Sequence, residues 1–336
     1  MATEDDGLSD TLLFGTPYRP VSRLGAGAMG EVVAAEHVAL GKPVVIKLLH
    51  RDLVRQPQQM ERMRVEAQAL ARLMHPNLVA VTDFGQTPEG RPYIVMERLR
   101  GHTLKEELDA RGAIPVPEAV DMARQVLAGL TAAHGLGLVH RDVKLENLFV
   151  CDADAGYENA STAPASRPRL VKVLDFGIAK VVGQGDATPQ PSKYPTAEGV
   201  LLGTPRFLSP EQALGRPVDA RTDVYSSAVV LYTLLAGRGP FQEIKTLPEL
   251  LRAHAMVEPA PPSRFAQQKI PAEIDAAILK ALSKRPEDRY QDAASFSAAL
   301  AAAMERAASK PRWDHTEPLA SSAKAQRIAE AARAVL

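Results

Sequence analysis

The chain has 336 residues, enough for one large core or two modest ones, with 46 % apolar and 24 % charged side chains. Its 40 basic and 40 acidic residues cancel, which removes a global field that would draw it to nucleic acid or an anionic membrane. The single cysteine, Cys151, excludes an internal disulfide framework and a multi-cysteine metal site, and it fits a reducing, cytoplasmic compartment.

Residues 1–16 are acidic and lack both a basic start and a long apolar stretch, so they read as a disordered N-terminus and not as a secretory signal. Apolar, β-branched runs at 32–38, 44–49, 78–84 and 93–99 predict strands, with Gly41, Gly85 and Gly90 at turns. One helix interrupts them at 58–74. Met63, Ala67, Leu70 and Met74 recur there at helical spacing and are expected to face the core, and His75-Pro76 ends the helix.

From residue 103 the pattern is mostly helical, with helices expected at 103–110, 117–136, 222–236, 248–257, 272–283 and 291–308. A strand-rich segment followed by a helix-rich one predicts an α+β protein of two lobes with a cleft between them. Residues 151–168 and 183–199 are polar and rich in small residues and proline, and read as two long loops. No apolar run reaches the ~18 residues that a membrane span needs; the longest, from Val224, is interrupted by polar residues.

Within LGAGAMGEVV, starting at Leu24, the residues Gly25, Gly27 and Gly30 spell G-x-G-x-x-G, a pattern shared by unrelated phosphate-binding units. A dinucleotide-binding unit needs a helix directly after the glycines. Here a strand follows, then a turn at Gly41, then a second strand carrying Lys47. The segment Leu24, Gly25, Ala26, Gly27, Ala28, Met29, Gly30 therefore reads as a hairpin lid whose backbone N–H groups can approach phosphate, with Met29 at its tip.

Lys47 lies in an apolar strand, on the face shared with Val45. Glu66 falls three residues after Met63 and four before Leu70, on the inward stripe of its helix. A buried carboxylate needs a partner, and Lys47 is the expected one.

Residues 139–149 read VHRDVKLENLF, and 173–179 read VLDFGIA. With these motifs in this order the chain resembles the eukaryotic-like (Hanks-type) bacterial serine/threonine protein kinases over about residues 18–300. The resemblance implies a bilobal protein-kinase-like fold: a catalytic domain at 17–303, with a small β-rich N-lobe (17–99, one main helix), a larger helical C-lobe (100–303) and an ATP cleft between. Residues 304–336 remain as an Ala-rich tail.

The resemblance also implies roles. Asp142 is the base that orients the substrate hydroxyl, and Lys144 neutralises charge on the transferred phosphate. Asn147 and Asp175 are the Mg²⁺ ligands, with Mn²⁺ as an alternative ion. Lys47 and Glu66 form the family's strand-to-helix ion pair. Met96, Glu97 and Leu99 form the gatekeeper and hinge beside adenine, with Val32 and Val45 above the base and Phe149 below. Val45 stands where the family usually has Ala, and Phe149 is bulkier than the common Leu or Met; both narrow the adenine slot.

Phe176 and Gly177 open the activation segment, Thr204 belongs to its Gly-Thr-Pro substrate shelf, and Glu211 pairs with Arg289. His140 and Arg141 complete the His-Arg-Asp motif, and Asp223 holds that loop's backbone. Arg141 would receive a phosphate on the activation loop, where Thr196 is the best-placed acceptor among Thr188, Ser192, Tyr194 and Thr196. The implied partners are protein substrates and the protein itself, by autophosphorylation and in a transient dimer. Two other readings exist: a pseudokinase scaffold, opposed by the filled catalytic positions, and a small-molecule phosphotransferase, opposed by the Gly-Thr-Pro and Ser-Pro-Glu segment.

Overall fold

In the computed structural model the described residues are 10–27, 30–50, 57–152, 169–175 and 204–309. Ala28, Met29, Phe176, Gly177, Thr196 and the side chain of Thr204 lie outside them, as do nearly all of the two long loops and the tail beyond Ser309.

Five antiparallel strands form the first sheet: β1 (Tyr18–Gly27), β2 (Gly30–His37), β3 (Lys42–Leu49), β4 (Val81–Gln86) and β5 (Pro92–Glu97), in the order β1-β2-β3-β5-β4. The alternation expected along β3 is present. Val44, Ile46 and Leu48 join Tyr18, Val33, Tyr93 and Val95 on the outer face. Val45 and Leu49 face inward, where Ile94, Met96 and the helix residues Met63 and Leu70 meet them. That helix, α1 (Pro57–Arg72), buries Met63, Ala67 and Leu70 as expected. Met74 does not follow: α1 stops at Arg72, and Met74 is 91 % exposed beyond its end.

The N-terminal expectation also needs correction. Residues Asp10–Leu13 form a 3-10 turn, and Leu13 is only 1 % exposed, inserted into the outer cluster of the sheet. The outer face of the sheet is apolar and must be covered, and Leu13, with the partly buried Leu12 beside it, helps cover it.

The second lobe opens with three very short strands, β6 (Gly101–Thr103), β7 (Leu148–Cys151) and β8 (Val171–Val173), paired in that order. None was expected from the sequence. Runs of three or four residues are too short to display a period of two. Helices α2 (Leu104–Arg111), α3 (Val116–His134), α4 (Pro210–Ala213), α5 (Ala220–Ala236), α6 (Leu247–Met256), α7 (Ala272–Ala281) and α8 (Ala293–Ser309) complete the lobe. Helix α5 is buried along almost its whole length at the centre of the core, with α3, α7 and α8 around it. Helix α8 runs past residue 303, with Ala303 buried and Met304 packed against the core, so the folded unit includes the start of the expected tail.

Candidate active site

The loop 139–147 between α3 and β7 is positioned by one buried acid. Asp223, in the first turn of α5, is 0 % exposed. Its Oδ2 accepts from the His140 backbone N–H at 2.8 Å and from His134 Nε2 at 2.8 Å, and its Oδ1 accepts from the Arg141 backbone N–H at 2.8 Å. An acid with three donors is a loop anchor, beyond an ordinary helix N-terminal charge.

His140 links this loop to the strand beside it. Its Nε2 lies 2.7 Å from the Leu174 carbonyl, and its Nδ1 lies 3.2 Å from the Asp142 backbone N–H. A carbonyl only accepts and an amide N–H only donates, so the proton sits on Nε2. Gln212, from α4, donates to the Arg141 carbonyl at 2.8 Å. Under these restraints Arg141 and Asp175 hold positive φ, 63° and 46°. Non-glycine residues there carry strain that the surroundings must impose.

The restraints bring Asp142, Lys144 and Asn147 together. Lys144 Nζ is 3.0 Å from Asp142 Oδ2, and Asn147 Nδ2 donates to the Asp142 carbonyl at 2.9 Å and to its Oδ2 at 3.0 Å. The Asn147 carbonyl accepts from the Leu174 N–H at 2.8 Å, which sets Asp175 beside it in the next residue.

Lys47 departs from expectation. Its Nζ pairs with Asp175 Oδ2 at 3.0 Å, and among the described residues no ion pair joins it to Glu66. Glu66 does lie on the inward side of α1, partly buried, and burial pushes its carboxyl up to about 7, with the positive charge of Arg141 working weakly the other way. The face assignment was right and the partner was wrong: Asp175 holds the lysine here.

A consequence is measurable. The folded value of Glu66, about 7, exceeds its ordinary 4.5, so the folded state binds this proton more tightly than the unfolded chain does. The stabilisation is complete below 4.5 and is lost as pH rises through 7. Glu66→Gln is therefore expected to raise the urea unfolding midpoint relative to wild type more at pH 8 than at pH 5.5. An equal difference at the two pH values would refute the burial of the charge.

The lid hairpin is built around Gly30. Its φ is 145°, and a Cβ there would stand 1.9 Å from the Leu48 carbonyl oxygen, so only glycine fits between β2 and β3. Gly25 and Gly27 have nothing within 4 Å of a built Cβ and leave open space along β1, beside the exposed Leu24. Strand register places Val32 opposite Lys47 and Val45 opposite Met96.

Glu97 uses its backbone N–H on the Ala80 carbonyl at 3.0 Å. Its carboxylate accepts from the Ala80 N–H at 2.8 Å and from Lys172 Nζ at 2.7 Å. Lys172 is the cross-strand partner of Phe149. The sequence reading missed it because a lone lysine in a three-residue strand carries no pattern. Leu99 packs against the inner cluster of the first lobe.

At the far side, Ser209 and Gln212 form a reciprocal capping box on α4, and Glu211 meets Arg289 through two bonds of 2.8 and 2.7 Å, both side chains buried. The Glu211–Arg289 contact expected from the sequence is present. The Ser-x-x-Gln spacing was a readable cap signal; that Gln212 also reaches the Arg141 carbonyl was not.

This two-lobed α+β arrangement, with a strand lysine facing a loop of clustered Asp, Lys and Asn, is that of a protein kinase. The chain matches the Protein kinase domain family over residues 18–301 and belongs to it. It is 41 % identical over 291 residues to serine/threonine-protein kinase Pkn1 of Myxococcus xanthus, covering 85 % of this chain and 38 % of that one. Its relatives place it among the Hanks-type bacterial serine/threonine kinases. The chain spans less than half the length of the curated relatives it matches.

Among solved structures, the kinase domain of Mycobacterium tuberculosis PknI superposes with a TM-score of 0.64 at 25 % identity, covering 88 % of this chain and 99 % of that one. Rad53 in complex with AMP-PNP gives a TM-score of 0.64 at 23 % identity, covering 84 % of this chain and 64 % of that one, a likeness of fold.

Proposed function

We propose that this chain transfers the γ-phosphate of Mg-ATP to serine and threonine hydroxyls of protein substrates, itself included. The observation that carries the reading is the convergence of Lys144 and Asn147 on Asp142, with Asp175 beside Asn147 and bonded to Lys47. In this reading Asp142 orients the acceptor hydroxyl and takes its proton, while Lys144 offsets charge on the phosphoryl oxygens.

The residues fit a nucleotide and its metal. Gly25 and Gly27 leave room for phosphate against backbone N–H groups, and the walls Val32, Val45, Met96 and Phe149 are apolar. Asn147 and Asp175 supply two hard oxygen ligands, which suits Mg²⁺, or Mn²⁺, since such an ion keeps waters and phosphate oxygens in its shell. When bound, the ion neutralises phosphate charge. Among the described residues there is no cluster of three His, Cys, Asp or Glu that would make an all-protein metal cage.

We place the chain in the cytoplasm, in intracellular signalling, with autophosphorylation at Thr196 raising activity through Arg141. Among the described residues no helix is long and apolar enough to cross a membrane.

The test is incubation with γ-labelled ATP, Mg²⁺ and casein, followed by phosphosite mapping. Label on Ser and Thr of casein and on Thr196, absent from Lys47→Met, is the expected result. Nucleotide binding without transfer to any acceptor would favour the scaffold reading.

A further inference from the structure

Lys284 lies in the turn after α7 and has no part in the chemistry above. Its Nζ donates to the His254 carbonyl at 3.2 Å and approaches the Ala253 carbonyl at 3.5 Å, both in the last turn of α6. The Ala253 carbonyl already accepts from the Val257 N–H at 2.9 Å, so the His254 carbonyl is the one that Lys284 satisfies. The ammonium also stands 5.1 Å from the ring centroid of Phe241 and 5.8 Å from that of Tyr225. A cation at a helix C-terminus, enclosed by two aromatic rings, is held by the helix dipole and by the ring quadrupoles together.

Helix α6 stands outside the main core, so this contact is one of the few that tie its C-terminal end to the lobe. Leu250 and Ala253 form a separate small cluster with Phe241 and Ile244. His254, fully buried at this end, adds further ties: its Nδ1 lies 3.1 Å from the Tyr225 hydroxyl, its ring meets those of Tyr225 and Phe241 edge-on, and it is hydrogen-bonded to the Arg206 backbone. Burial drives the proton off His254, whose value falls to about 3, so this ring is neutral and supplies no second cation. On its other side α6 packs against the turn Thr204–Phe207 and against α4. That turn belongs to the shelf on which an acceptor protein would lie, so the position of α6 sets the position of the shelf.

We propose that Lys284 is a positioning residue for the protein substrate: its ammonium fastens the end of α6 to the lobe and thereby fixes the surface that α6 and the turn Thr204–Phe207 offer to an acceptor peptide. This assignment rests on the kinase reading of the preceding section.

The charged and titratable groups around Lys284 come from every neighbouring element. Glu258 follows α6, His254 lies within it with Arg206 of the 204–207 turn against its ring, and Tyr225 faces from α5. Arg289 lies five residues on and is paired with Glu211 of α4. Burial lowers Lys284 to about 8, Glu258 opposes that shift, and Arg289 adds to it. Loss of the ammonium on the alkaline side therefore falls within an assayable range, and arginine, which stays charged there, is the conservative replacement.

The test uses the full chain, with casein as acceptor and both substrates varied. K284M is expected to raise KM for casein about fivefold or more, with kcat and the KM for ATP within about twofold of wild type. Wild-type kcat/KM for casein should fall above pH 8, and K284R should keep its activity over the same range. Equal losses toward casein and ATP in K284M, or an unchanged alkaline fall in K284R, would overturn the assignment. The wild-type and K284R pH profiles decide it even if K284M does not fold. No phosphate transfer by wild type, either to casein or to itself, would overturn the kinase reading and this assignment with it, a result visible before any variant is made.

Discussion

Asp142→Asn is expected to lower kcat for phosphoryl transfer to casein by about 10²–10⁴-fold, with the KM for ATP changed by no more than about twofold. The substitution keeps the shape of the side chain and removes only its negative charge and basicity. An amide oxygen can still accept from Asn147 Nδ2, which lies 3.0 Å from Asp142 Oδ2 in the native chain. It cannot take the proton of an attacking hydroxyl, and it removes the carboxylate charge that Lys144 meets at 3.0 Å in the native chain. The backbone of the loop is held from elsewhere, by Asp223, His140 and Gln212, so the variant should retain its fold. Steady-state kinetics with ATP varied, beside a urea denaturation curve, checks both halves. A variant that unfolds earlier than wild type, or that transfers phosphate at the native rate, would contradict this account.

The parts of the site that were legible in the sequence are those whose chemistry is written in contiguous residues. Asp142, Lys144 and Asn147 lie within six positions, and a short loop between a helix and a strand has few ways to separate them. Glu211 and Arg289 were legible for another reason. Each stands in a motif of the family that the chain resembles, Ser-Pro-Glu and Arg-Pro-Glu-Asp-Arg, and the resemblance implied their pairing.

The Lys47–Glu66 pair illustrates where reading stops. Periodicity put both side chains on the right faces, but which of two acids takes one lysine depends on the placement of α1 against the cleft, and no local pattern encodes that. Leu13 and the strands β6 to β8 were missed for want of length: one buried leucine or three residues of ladder produce no period. Met74 failed at a boundary, since a helical stripe says nothing of a side chain just past the last turn. Lys284 and Lys172 are invisible to pattern altogether, because their partners are main-chain carbonyls and a distant carboxylate.

Arg289→Met is expected to destabilise the folded chain by about 3–5 kcal/mol, the cost typical of leaving one partner of a buried ion pair alone. Glu211 is 5 % exposed and Arg289 is 2 % exposed. Arg289 also donates to the carbonyls of Ser283 at 2.8 Å, Lys284 at 3.1 Å and Arg221 at 3.0 Å, so its loss strips several acceptors at once. The pH dependence separates loss of charge pairing from loss of packing. In the native chain burial alone would raise the Glu211 carboxyl; the bonds and charge of Arg289, with the Thr222 hydroxyl, outweigh it and hold the group below its ordinary 4.5. Its stabilising contribution is therefore full above 4.5 and is lost as pH falls through the folded value. Without Arg289 the sign reverses: burial is unopposed by a cation, the folded value rises, and the folded state gains from a proton. The deficit of Arg289→Met relative to wild type should accordingly shrink between pH 8 and pH 5 in urea denaturation, and a deficit that is constant across that range would assign the whole effect to packing. The double variant Glu211→Leu with Arg289→Met removes both charges and should recover part of the loss. Recovery stays incomplete because the carbonyls of Ser283, Lys284 and Arg221 still lack their donors.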